Sequence, residues 1–90
     1  MQQPPSVDTA ITATNIIALL QRIAPELQPD QLDPEHALRQ QVDLDSMDWL
    51  NFIISLHRTF AIAIPERDYR ELTSIQAIID YIERRRAEGA

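Results

Sequence analysis

The sequence predicts an all-α domain of three main helices and one short one, with a long first loop and one small core. Three observations predict it. Apolar residues recur at helical spacing in three separate stretches, Ile16 to Leu27, Trp49 to Phe60 and Ile75 to Ile82. Pro29, Pro34 and Pro65 fall between those stretches and divide them, and Pro25 interrupts the first near its end. Finally, 90 residues with no cysteine must close a compact core without disulfides, which favours helices.

Residues 1–7 hold two prolines and little to pack, and read as a flexible tail. The domain is expected over 8–86, with a second tail at 87–90. The first helix is expected from about Asp8 to Ala24. Ile16, Leu20, Ile23 and Leu27 form its stripe, broadened by Ile17 and Leu19. Asp8 offers a capping oxygen, and Pro25 ends the helix.

The connection from Pro25 to Asp45 is long for a compact domain unless something pins it. Leu27, Leu32, Leu38, Val42 and Leu44 are the expected pins, and Asp33-Pro34-Glu35 is expected to open one short helical turn. The loop should therefore pack across the bundle.

The second helix is expected from Ser46 to Phe60. At 100° per residue, Trp49, Phe52, Ile53, Leu56 and Phe60 share a sector of roughly 100°, enough for the core face. Met47, Leu50 and Ile54 form a second apolar stripe, bordered by Asn51, His57 and Arg58. An exposed apolar strip with a polar rim marks a contact surface. The alternative is a central helix buried on both faces.

Phe60-Ala61-Ile62-Ala63-Ile64 alternates like a strand but has no partner, and reads as an extended link closed by Pro65. A helical turn follows at Glu66 to Arg70. Thr73-Ser74-Ile75-Gln76 fits a capping box with Thr73 as the cap. The last helix carries Ile75, Ile78, Ile79 and Ile82 on one face. Arg84, Arg85 and Arg86 lie near its end, where cations suit the helix dipole, so their expected role is structural.

Fourteen acidic against eight basic residues give a net charge of −6, which argues against a nucleic-acid partner. That sign favours basic protein partners and rejects anionic membranes. Met1-Gln2-Gln3-Pro4-Pro5 has neither the basic start nor the apolar run of a signal peptide, and no stretch reaches membrane-spanning length. The expectation is a cytoplasmic protein without membrane insertion. His36 and His57 lack the paired spacing of a metal-binding helix, and no metal is expected.

Asp45-Ser46-Met47-Asp48 is the stretch with chemistry. Its plain reading is helix-start chemistry: Asp45 caps free amides, and Asp48 complements the positive helix end. A calcium loop starting at Asp43 fails, since its fifth, sixth and twelfth positions are Met47, Asp48 and Ile54. A serine hydrolase fails because His57 lies about 16 Å along the same helix. No Gly-x-Ser-x-Gly elbow surrounds Ser46, and His36 reaches it only by a fold of the loop. No catalytic group is visible, and an enzyme is not expected.

Asp45-Ser46-Met47-Asp48, the apolar helix ending in Leu56 and Phe60, Ile64-Pro65, and Thr73-Ser74-Ile75-Gln76-Ala77 followed by Asp80-Tyr81-Ile82 resemble an acyl carrier protein. The ordering runs without gaps from about Leu32 to Ile82. The resemblance implies a small four-helix bundle whose serine, matched by Ser46, bears 4′-phosphopantetheine. A separate phosphopantetheinyl transferase, using coenzyme A and magnesium, would install this arm, and acyl groups would ride on its terminal thiol as thioesters. Asp45 matches the aspartate before that serine, and Met47 replaces the usual leucine. The helix after the serine matches the one such carriers use to meet acyl-processing enzymes. Asp45, Met47, Asp48, Leu50, Asn51, Ile54 and Arg58 are therefore the expected partner-binding residues of a monomeric carrier.

Two departures stand out. Asp43 occupies a position where the family often has glycine. Asn51, His57, Arg58 and Thr59 hold exposed positions where it is usually rich in glutamate. They suggest a specialised lipid or secondary-metabolite pathway rather than ordinary fatty-acid synthesis. The alternatives are a peptidyl or aminoacyl carrier for nonribosomal synthesis and an unmodified helical interaction module.

Overall fold

The computed structural model describes residues 10–89. The tail read at 1–7 and the cap read at Asp8 lie outside them. Among the described residues all regular structure is helical: α1 (Ala13–Ile23), a 3₁₀ turn (Pro29–Gln31), α2 (Leu38–Gln41), α3 (Ser46–Phe60), a second 3₁₀ turn (Glu66–Glu71) and α4 (Ile75–Gly89). The expected all-α architecture is what forms. No helix among these residues is long and apolar enough to cross a membrane.

α1 starts later than the sequence reading placed it. Thr12 is the cap, its Oγ1 accepting the Asn15 amide at 3.2 Å, while Asn15 Nδ2 holds the Ala10 carbonyl at 2.8 Å. Ile16, Leu19 and Leu20 are buried, and α1 packs against both α3 and α4. The Ala24 amide closes the last turn on Leu20, just before Pro25.

The long connection is pinned as expected: Leu32, Leu38, Val42 and Leu44 are buried and Leu27 is half-buried. Its helical pieces fall elsewhere, though. Asp33 to His36 forms a turn in place of the expected helical one, because Asp33 Oδ1 takes the Glu35 amide at 3.0 Å. Gln41 braces that turn, donating to the carbonyls of Asp33 and His36 and accepting the Asp33 amide. Two long-range bonds then fix the loop to the start of α4, Leu38 N–H to Thr73 at 2.7 Å and Gln76 N–H to Pro34 at 2.8 Å.

The α4 cap falls one residue later than the capping box placed it. Ser74, not Thr73, caps the helix, its Oγ accepting the Ala77 amide at 3.0 Å, and Gln76 turns its side chain to Asp80. The three arginines tie α4 to the segment before it. Arg84 pairs with Glu71 at 2.7 Å, Arg85 Nε donates to the Ala63 carbonyl, and Arg86 Nε donates to the Phe60 carbonyl beside the Phe60 ring. The helix continues past residue 86 to Gly89. Among the described residues no buried side-chain nitrogen or oxygen lacks a partner.

Candidate functional site

The candidate site is the first turn of α3. Asp45 precedes it in extended conformation, and its Oδ1 accepts the Asp48 amide at 2.8 Å. The Asp45 carbonyl takes the Trp49 amide at 3.0 Å. Buried Leu44 anchors the approach from one side and buried Phe52 holds the helix from the other. Ser46 is thus the first helical residue, exposed, on a backbone fixed at both ends.

Its hydroxyl differs from the other serine hydroxyls among the described residues. Ser55 Oγ donates back to the Asn51 carbonyl at 3.1 Å, and Ser74 is a buried cap. Ser46 Oγ takes no hydrogen bond from or to the protein among those residues.

The faces of α3 divide as the periodicity predicts. Phe52, Ile53, Leu56 and Phe60 are buried, while Met47 is 65% exposed and Leu50 and Ile54 are each 38% exposed. Burial on both faces is ruled out. Asn51, His57 and Arg58 are exposed beside that stripe, whereas Asp48 is half-buried. Trp49 is half-buried on the core side, its ring 5.6 Å from that of Phe52 and tilted by 46°. The guanidinium of Arg39, from α2, lies 5.3 Å from the Trp49 ring centroid. No local pattern in the sequence links those two residues.

A cleft of about 360 Å³ opens beyond the stripe, between Ile53, Ile54 and His57 on α3 and Ile64, Tyr69 and Arg85 opposite. The His57 ring Nδ1 donates to the Ile62 carbonyl, so this histidine serves the far end of α3 and not Ser46. His36 sits exposed in the Asp33 turn. Among the described residues no group of three or more His, Asp or Glu side chains is placed to hold a metal ion.

The family model for the phosphopantetheine attachment site matches residues 11–82 of this chain. The chain belongs to the acyl carrier protein family. It is 34% identical to an acyl carrier protein of Chlorobium phaeobacteroides over 53 residues, 59% of this chain and 68% of that protein. An acyl carrier protein is a carrier and not a catalyst, and its work is done with acyl-processing enzymes. Its prosthetic group is 4′-phosphopantetheine, covalently attached.

The start of α3 fits such a group in this acyl carrier protein. A phosphodiester needs an accessible hydroxyl and tolerates the positive end of a helix, and a 15-residue helix begins here with an exposed serine. Asp45 already satisfies the Asp48 amide, so the helix end does not depend on the group for its own stability.

Proposed function

We propose that Ser46 bears the arm and that the chain carries acyl groups as thioesters on its terminal thiol. The observation that carries this reading is the Ser46 hydroxyl, exposed and unengaged at the head of α3, while Ser55 and Ser74 are both committed to backbone groups. The bound group supplies a long flexible tether ending in a thiol. What the protein supplies is the attachment oxygen, a rigid base for it, and the surface its enzymes grip. In the attachment step Ser46 Oγ bonds to the pantetheine-side phosphorus of coenzyme A. The adenosine bisphosphate leaves, and the hydroxyl proton passes to a separate magnesium-dependent phosphopantetheinyl transferase.

The partner surface in this proposal comprises Asp45, Met47, Asp48, Leu50, Asn51, Ile54 and Arg58. Its apolar stripe is exposed, and the neighbouring positions hold Asn51, His57 and Arg58 in place of acids. That composition supports service in a specialised lipid or secondary-metabolite pathway. The carrier acts as a cytoplasmic monomer, with 8–86 as its working unit and the last turn of α4 running on to Gly89.

The test is intact mass after incubation with coenzyme A and a broad-specificity transferase. One phosphopantetheine is expected on the wild type and none on Ser46→Ala, which retains its fold because Ser46 is exposed. A wild type that takes no arm, or an alanine variant that does, removes the reading.

A further inference from the structure

A phosphodiester at Ser46 stands in acidic surroundings. Asp43 and Asp45 are exposed and Asp48 is half-buried, all within three residues of it. Between Arg22 and Arg58 the sequence holds a single lysine or arginine, Arg39. The fold sets that residue on α2 with its guanidinium 5.3 Å from the Trp49 ring centroid. Trp49 follows Ser46 by three residues on the same helix, an i, i+3 neighbour. Helical side chains lean back toward the preceding turn, which puts the indole on the flank of α3 nearest the turn that carries Ser46.

Arg39 is exposed, and its guanidinium belongs to neither ion pair among the described residues. A cation–π contact is no hydrogen bond between N–H and oxygen, so a guanidinium 5.3 Å from a ring centroid keeps N–H donors for an oxygen partner. A guanidinium already held beside an aromatic ring loses less freedom on pairing, and its fork matches two oxygens of a phosphate.

We propose that Arg39, ordered against Trp49, pairs with the phosphodiester of the arm borne at Ser46 and holds the root of the arm on the Trp49 flank of α3. The pairing offsets the repulsion from Asp43, Asp45 and Asp48. It also keeps the arm's first atoms off Met47, Leu50 and Ile54, which lie on the other side of the helix and stay open to enzymes. This inference rests on Ser46 being the attachment point.

The experiment compares holo wild type, Arg39→Gln and Arg39→Lys by phosphorus NMR at low and raised salt, after intact mass has verified one arm on each. In Arg39→Gln the phosphorus resonance should narrow and shift, as the root of the arm is released. Arg39→Lys, which keeps the charge but not the planar fork, should fall between the two. Raised salt should move the wild-type resonance toward that of Arg39→Gln and leave Arg39→Gln in place, since an exposed charge pair is screened. Trp49 is the sole tryptophan, so its emission gives a second readout. Emission should respond to arm loading in the wild type and not in Arg39→Gln, whereas a purely structural contact would alter apo and holo forms alike. Identical phosphorus resonances in loaded wild type and loaded Arg39→Gln would overturn this inference alone. Failure of Ser46 to take the arm, read by mass, would overturn both it and the carrier reading.

Discussion

Asp45 Oδ1 accepts the amide of Asp48 at 2.8 Å, closing the first turn of α3 directly around Ser46. One side chain therefore does two separable things. It satisfies an otherwise unpaired helix amide, and it places a negative charge next to the serine hydroxyl.

Two substitutions separate those roles. Asp45→Ala removes the cap and should lower stability by about 1 kcal/mol. Asp45→Asn keeps a capping oxygen and should unfold close to wild type in urea. If the charge is what a transferase reads, Asn should load with phosphopantetheine more slowly despite its normal stability. An alanine variant as stable as wild type would show that the cap contributes nothing. An asparagine variant that loads at the wild-type rate would show that the charge is not read.

A second prediction concerns Tyr81, whose hydroxyl donates to Asp68 Oδ2 at 2.6 Å from a buried position. Burial first, and the Asp68 carboxylate second, push the phenol from 10.0 up to about 12. The folded value lies above the unfolded one, so the folded state holds its proton more tightly. The contribution to stability is therefore full below the unfolded value of 10.0 and is lost as pH rises toward about 12. Urea midpoints measured across that window should fall in the wild type and fall less in Tyr81→Phe. At neutral pH the Phe variant should be less stable by about 1–3 kcal/mol, because Asp68 loses its donor. Parallel pH profiles for the two proteins would contradict this.

The bounds of α3 were legible because two signals agree there: an aspartate that can cap, and apolar residues that keep the helical period to Phe60. The exposed stripe followed from the same pattern, whereas the candidate serine came from the resemblance to acyl carrier proteins, the pattern alone reading only as helix-start chemistry. The caps of α1 and α4 were less legible because each had rival residues. Asp8 and Thr12 both offer an oxygen, and Thr12 caps the helix that starts at Ala13. Thr73 and Ser74 both offer a hydroxyl, and the choice goes with a tertiary bond, Leu38 N–H to the Thr73 carbonyl. Arg39 and Trp49 stood beyond reach altogether. Ten positions apart and on different helices, they meet only once the long connection folds back.

That meeting bears on cargo. Trp49 is tilted against Phe52 and has the Arg39 guanidinium 5.3 Å from its ring centroid, one turn from Ser46. A large indole fixed there should bar a long chain from the interior, so the expected cargo is short, polar or largely exposed. Thermal stabilisation should then be nearly flat across acyl lengths in the wild type and should grow with length in Trp49→Ala. Strong protection of the wild type by long chains, unchanged in Trp49→Ala, would remove the idea.

The last prediction concerns partner choice. Complementary charge mainly sets encounter rate and discrimination, whereas a few apolar anchors with a polar rim supply most contact energy. Here the anchors are the exposed Met47, Leu50 and Ile54, and the acids cluster at one end of the helix, with Arg58 exposed toward the other. Basic patches suited to a glutamate-rich helix meet less attraction there. A housekeeping ketosynthase should therefore use the holo protein poorly, and the double change His57→Glu, Arg58→Glu should improve it. With the carrier's own enzymes, Leu50→Ala or Ile54→Ala should cost more than neutralising either charge. His57 complicates the double variant, because its ring holds the Ile62 carbonyl and a glutamate there faces the negative end of α3. The stability loss expected from an unfavourable dipole contact is about 0.3–1 kcal/mol. Arg58→Glu alone avoids that loss, and urea unfolding of both variants separates stability from recognition. Equal steady-state efficiency for wild type, Arg58→Glu and the double variant would show that the far-end charges do not select partners.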